Sequence, residues 1–98
     1  MNFEWDPEKA KTNAVKHGVT FERARLIFAD PDMITIPDVD HSDEEDREIS
    51  LGMEPLGQTL VVVHTTRLRI REEWTRIISA RRANKKEAEV YYARKETE

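Results

Sequence analysis

Eight basic residues fall between His64 and Lys86: Arg67, Arg69, Arg71, Arg76, Arg81, Arg82, Lys85 and Lys86. Only two acids, Glu72 and Glu73, interrupt them. Arginine suits phosphate because its planar fork meets two oxygens at once and keeps its charge. The stretch therefore has what a phosphate-bearing partner would require. The competing reading is a solvated charge pattern that pairs within the chain. Acids concentrate upstream: Asp30 to Glu54 carries ten of them and one base, Arg47. The net charge of −4 thus averages an acidic segment and a basic one.

Groups able to move protons are fewer. His17 and Lys16 stand beside Gly18, where a cation either serves a helix C-terminus or does acid–base work. His64 follows an apolar run and is either a satisfied histidine of the sheet or an acid or base. Glu48 neighbours Arg47 and is either a base or a solvent-facing carboxylate. His41 sits in the acidic segment and is read as inert.

The elements that must position these groups fit one domain of 98 residues. There is no cysteine, which rules out disulfides, thiolate metal sites and a cysteine nucleophile. The three histidines lack metal-ligand spacing, so neither metal nor cofactor is expected. No basic leader or long apolar run is present, and a cytoplasmic location is expected.

Phe3-Glu4-Trp5 reads as a brief strand. Asp6-Pro7 starts a charged helix that closes at His17-Gly18. Thr20 caps a second helix through about Ala29, with Phe21, Ala24, Leu26, Ile27 and Phe28 as its apolar face, and Asp30-Pro31 ends it. Met33–Ile36 reads as a strand, 38–46 as an acidic loop, and Arg47–Met53 as an alternating strand. Pro55–Gln58 is a turn. Leu60–Thr66 is apolar without alternation and reads as a central strand. Arg67–Glu72 reads as a basic connection to the strand Glu73–Ala80. Asn84 and Glu87 have capping-box spacing before a last helix to about Arg94. This order predicts an α+β domain: a short first strand, two helices, a four-stranded antiparallel meander and a C-terminal helix. Arg76 and Arg81 are five residues apart, so strict alternation places them on opposite faces unless a bulge intervenes.

The residues Phe3-x-Trp5-Asp6-Pro7-x-Lys9, Asn13-x-x-Lys16-His17-Gly18-Val19-x-Phe21-Glu22-x-Ala24 and Phe28-x-Asp30-Pro31 together resemble the opening of the BrnT toxin family. Arg47, Leu51-Gly52, Leu60–Thr65, Arg76–Arg81, Ala83, Glu87 and Tyr91 continue the resemblance over about residues 3–92. The resemblance implies a RelE-like fold and a type II toxin that cuts RNA without a metal and arrests translation. It also implies a cognate BrnA-type antitoxin that covers the toxin and carries the complex to operator DNA. The connection Arg67–Glu72 is longer and more basic than the family pattern.

Metal-free RNA cleavage needs a base for the 2′-OH, charge stabilisation at phosphorus and an acid for the 5′-oxygen. The product is then a 2′,3′-cyclic phosphate. Arg81, inside the family motif, leads as phosphate stabiliser, with an ion pair to the acidic loop as its alternative. Arg47 is the second candidate, against a structural salt bridge. His17, His64, Lys16 and Glu48 are the acid–base candidates. Arg67, Arg69, Arg71, Arg76, Arg82, Lys85 and Lys86 are expected to track RNA, and the hairpin arginines equally suit an acidic antitoxin face. A catalytically silent RNA- or protein-binding module is the alternative function.

Overall fold

The computed structural model describes residues 1–41 and 46–97. The element order is β1 (Asn2–Glu4), α1 (Pro7–His17), α2 (Phe21–Ala24), β2 (Ile34–Pro37), β3 (Arg47–Met53), β4 (Thr59–Arg69), β5 (Glu72–Arg82) and α3 (Lys85–Glu96). Five strands form one sheet in the order β1-β5-β4-β3-β2. The last four make the expected antiparallel meander, and β1 joins its edge parallel to β5.

Local chemistry sets the helix ends. The Asp6 side chain accepts from Glu8 N–H, Pro7 takes the first turn, and Gly18 closes α1 at φ 68°, a conformation glycine adopts without strain. Asn84 and Glu87 form a complete capping box at α3. The second helix is shorter than its sequence suggests. It is α-helical only over Phe21–Ala24 and tightens to a 3₁₀ turn over Arg25–Ala29. Three residues per turn align Ala24 with Ile27, and both are fully buried. Gly52 lets Ile27 approach β3: a Cβ there would lie 2.9 Å from the Ile27 Cβ.

The core lies between α1–α2 and one face of the sheet. Val19, Phe21, Ala24 and Ile27 pack on Leu60, Val62, Ile77 and Ala80. At the edge that β1 leaves open, Asn13 substitutes for a strand. Its Nδ2 donates to Ala80 O at 2.8 Å and its Oδ1 accepts from Ala80 N–H at 3.1 Å. On the far side, Arg23 donates to buried Glu54 and to Gln58, pinning the β3–β4 turn to α2.

Two expectations about the strands change. Arg67–Glu72 is not a loose connection, because β4 and β5 continue as a ladder to a two-residue turn, Ile70-Arg71. Spaced two apart, the three hairpin arginines would share one face of a single extended strand, but only Arg67 and Arg69 do, and Arg71 sits in the turn. The second change is a bulge. Val63 pairs with Ser79 but His64 pairs with Ile77, so Ile78 is an extra residue in β5. The side-chain alternation shifts by one across it. Part of the expected acidic loop, residues 42–45, falls outside the described residues, and Val39–His41 is a short 3₁₀ turn.

Candidate active site

The bulge puts Arg76 and Arg81 on one face, because Arg76 pairs with Thr65 and Arg81 with Val61, four residues along β4. That face is opposite the core. Register extends the Arg76 position into a row across four strands, with Glu4 beside Arg76, Arg76 beside Thr65 and Thr65 beside Arg47. At ~4.8 Å between strands, Glu4 and Arg47 stand about 14 Å apart at the backbone.

Glu4 is the residue the sequence reading missed. One oxygen, Oε2, meets Arg69 Nη2 at 2.7 Å and Arg76 Nη1 at 3.7 Å. The other, Oε1, is buried with no hydrogen-bond partner among the described residues. Buried polar atoms are nearly always satisfied, so an orphan carboxylate oxygen needs a reason. The only signal in the sequence was alternation: Phe3 and Trp5 pack inward, which turns Glu4 outward. Its partners come from strand pairing more than 60 residues away.

Arg81 lies about 13 Å along the strand from Arg76, at ~3.3 Å per residue, too far to share one phosphate. Among the described residues its carboxylate partner is Glu87 on α3. Its two terminal nitrogens donate to the Glu87 carboxylate at 2.7 and 2.8 Å, and Glu87 also accepts from the Asn84 N–H. The hydrogen bond to Glu87 raises the Arg81 pKa against its partial burial. The same bond from Arg81, aided by Asn84 N–H, outweighs burial and holds Glu87 below its ordinary range. Arg81 is therefore aimed by α3 while its side chain stays 42% exposed.

Lys16 and His17 end α1 and line a shallow groove of about 330 Å³ with Lys9, Thr12 and Ser79. The groove runs between α1 and the bulged part of β5. Arg47, Arg67 and Glu48 line a second cleft at the end of the sheet, about 710 Å³, with Thr65 and Thr66. By register Glu48 projects on the core side, beside His64.

His64 is not brought to the arginine row. It is 4% exposed on the core face, with Nε2 2.7 Å from Ser50 Oγ, which is itself 2.7 Å from Thr35 Oγ1. Phe28 packs edge-on against its ring at 4.9 Å. Burial pushes its pKa down to about 4, so it is neutral at physiological pH. Its place is that of a core histidine.

Arg82 pairs with Leu60 and so projects on the opposite side from Arg81. Lys85 and Lys86 are exposed in the first turn of α3. Tyr91 is fully buried and donates its O–H to Asp30 Oδ2, whereas Tyr92 is half-exposed. Asp30 also accepts from the Met53 and Asp32 N–H groups. Burial alone would raise the Asp30 pKa, but the Tyr91 bond and these two N–H bonds prevail and lower it. Among the described residues no group of three or more His, Asp or Glu could hold a metal. No described helix is long and apolar enough to cross a membrane.

The geometry defines an α+β domain with arginines and a carboxylate arrayed on one sheet face. The chain belongs to the BrnT family, whose model, described as the ribonuclease toxin BrnT of type II toxin–antitoxin systems, matches residues 5–87. Among solved structures it is similar to the ribonuclease toxin BrnT of Brucella abortus, with a TM-score of 0.63 and 23% identity over 87% of this chain and 99% of that one. None of the curated proteins compared matches the sequence. An antitoxin partner and an RNA target follow from the type II family.

Proposed function

We propose that this chain is an endoribonuclease that cuts RNA by transesterification on the arginine face, without a metal. The row Glu4–Arg76–Thr65–Arg47 carries the reading. It sets a carboxylate beside guanidinium groups on a supported sheet, which keeps their spacing fixed. Arg76 and Arg47 stabilise charge at the scissile phosphate, and Arg81 holds the strand further along. Glu4 takes the 2′-OH proton, O2′ attacks phosphorus and the 5′-oxygen leaves. The products are a 2′,3′-cyclic phosphate and a 5′-OH end. The 5′-oxygen takes up its proton from solvent, because Lys16 and His17 line the separate groove beside α1 and not the arginine row.

Arg69 covers Glu4 in the free protein, yet its side chain is 52% exposed. An incoming phosphate competes for Arg69 and releases Oε2 for the base role. The family resemblance adds a RelE-like ancestry, a cytoplasmic site of action and a BrnA-type antitoxin that delivers the complex to operator DNA. An antitoxin seated on this face would block cleavage directly.

One observation favours the second reading, a catalytically silent RNA- or protein-binding module: no histidine lies in the arginine row. Expression of the chain alone in bacteria separates the two. The enzyme reading expects growth arrest with RNA ends bearing cyclic phosphate, lost in Arg76→Ala while the protein stays folded. Arrest with intact RNA, or no phenotype at all, supports the binding module.

A further inference from the structure

The β4–β5 hairpin runs past the rest of the sheet. The pairing of β3 with β4 stops at Thr65, and that of β1 with β5 stops at Trp74. Residues 66–73 therefore form a two-stranded arm, and all eight are exposed. Its turn residues, Ile70 and Arg71, both have positive φ, 44° and 67°. This turn geometry matches the twist of a hairpin, but its usual occupants are Asn and Gly. A β-branched isoleucine crowds its own backbone there. Burial gives nothing back, because Ile70 is 97% exposed and Leu68 is 75% exposed. Strain kept without internal packing points to a contact made outside the chain.

Charge and position indicate the partner. By register Arg67 and Arg69 project on the same face as Arg76 and Arg47, so the arm continues the arginine row outward. Arg69 ties the arm to Glu4 at 2.7 Å. We propose that the arm docks on structured RNA, its arginines following the backbone of a stem while Ile70 wedges against bases at the loop or helix end. This rests on the ribonuclease reading and deepens it. Apolar wedges beside cationic side chains are a general means of engaging stacked bases. An unstructured strand offers phosphates to the arginines but no fixed stack to the wedge. The arm selects which RNA reaches the row and leaves the chemistry to Glu4 and Arg76.

Ile70→Asn tests this, since it keeps every charge and suits the left-handed turn. In the full-length protein the melting midpoint is expected to rise by several degrees. Two 2′-O-methyl RNAs of equal length, one a stem-loop and one unstructured, serve as uncleavable probes. Affinity for the stem-loop is expected to fall about tenfold, while that for the unstructured strand changes less than twofold. A raised midpoint with unchanged stem-loop affinity overturns the proposal, as does equal loss on both probes. Loss of antitoxin binding with RNA affinity intact makes the arm a protein contact and also overturns it. Wild-type protein that prefers the stem-loop yet cuts no RNA supports the arm's role and overturns the ribonuclease reading alone.

Discussion

Arg76 and Arg81 face the same side of the sheet although they are five positions apart, because Ile78 bulges between them. Arg82, one residue on, faces the other way. Arg76→Ala and Arg81→Ala are each expected to weaken binding of an uncleavable single-stranded RNA. Each should also lower the slope of log affinity against log salt by about 0.7, the loss of one phosphate contact. Arg82→Ala is the control and should leave the slope unchanged. Equal effects from all three would mean that general charge, and not this face of the sheet, binds RNA.

Glu4→Gln keeps the shape of the side chain and removes its basicity. Cleavage is expected to slow by roughly 10²- to 10⁴-fold, the usual contribution of a general base. RNA affinity should hold or rise, since a negative charge beside Arg69 and Arg76 is gone. A variant with normal turnover would remove Glu4 from the chemistry.

His64 makes stability depend on pH. Its folded pKa of about 4 lies below the ordinary value of 6.5, so the unfolded chain binds the proton more readily. Stability should therefore fall as pH drops from about 6.5 toward 4, by on the order of 3 kcal/mol in full. Urea midpoints at pH 7.5, 5.5 and 4.5 measure this. His64→Gln should flatten the trend in that window.

Tyr91→Phe removes one donor from the Asp30 carboxylate and leaves the buried ring in place. A net loss of about 1–2 kcal/mol is expected at neutral pH. Asp30 has a lowered folded pKa. Its contribution is therefore present above its unfolded pKa and is lost as pH falls through the folded value. The variant should lose less stability than wild type between neutral pH and pH 2, and acid titration of both proteins checks it.

Gly52→Ala should destabilise by about 1–3 kcal/mol, since the added Cβ meets the Ile27 Cβ at 2.9 Å and the core would have to shift. Recovery in the double variant with Ile27→Val, read by thermal denaturation, would locate the cost at that contact.

The sequence by itself determined both ends of α1, the start of α3, the meander and the concentration of arginines in its last two strands. Asp6-Pro7, His17-Gly18 and Asn84 with Glu87 act within a few residues of themselves, so their consequences can be read locally. The family resemblance also rests on local motifs in order. What the arginines face was decided only by the tertiary structure. One extra residue at Ile78 reverses the side-chain alternation, and nothing in Arg76–Arg81 marks it. Glu4 gained its arginine neighbours from parallel pairing with a strand 72 positions away. His64 and Glu48 lost their place in the row because β3–β4 register and the helix packing turned them toward the core. Register is a property of the whole sheet, fixed by which faces α1 and α2 bury, and it is what makes a row of charges a site.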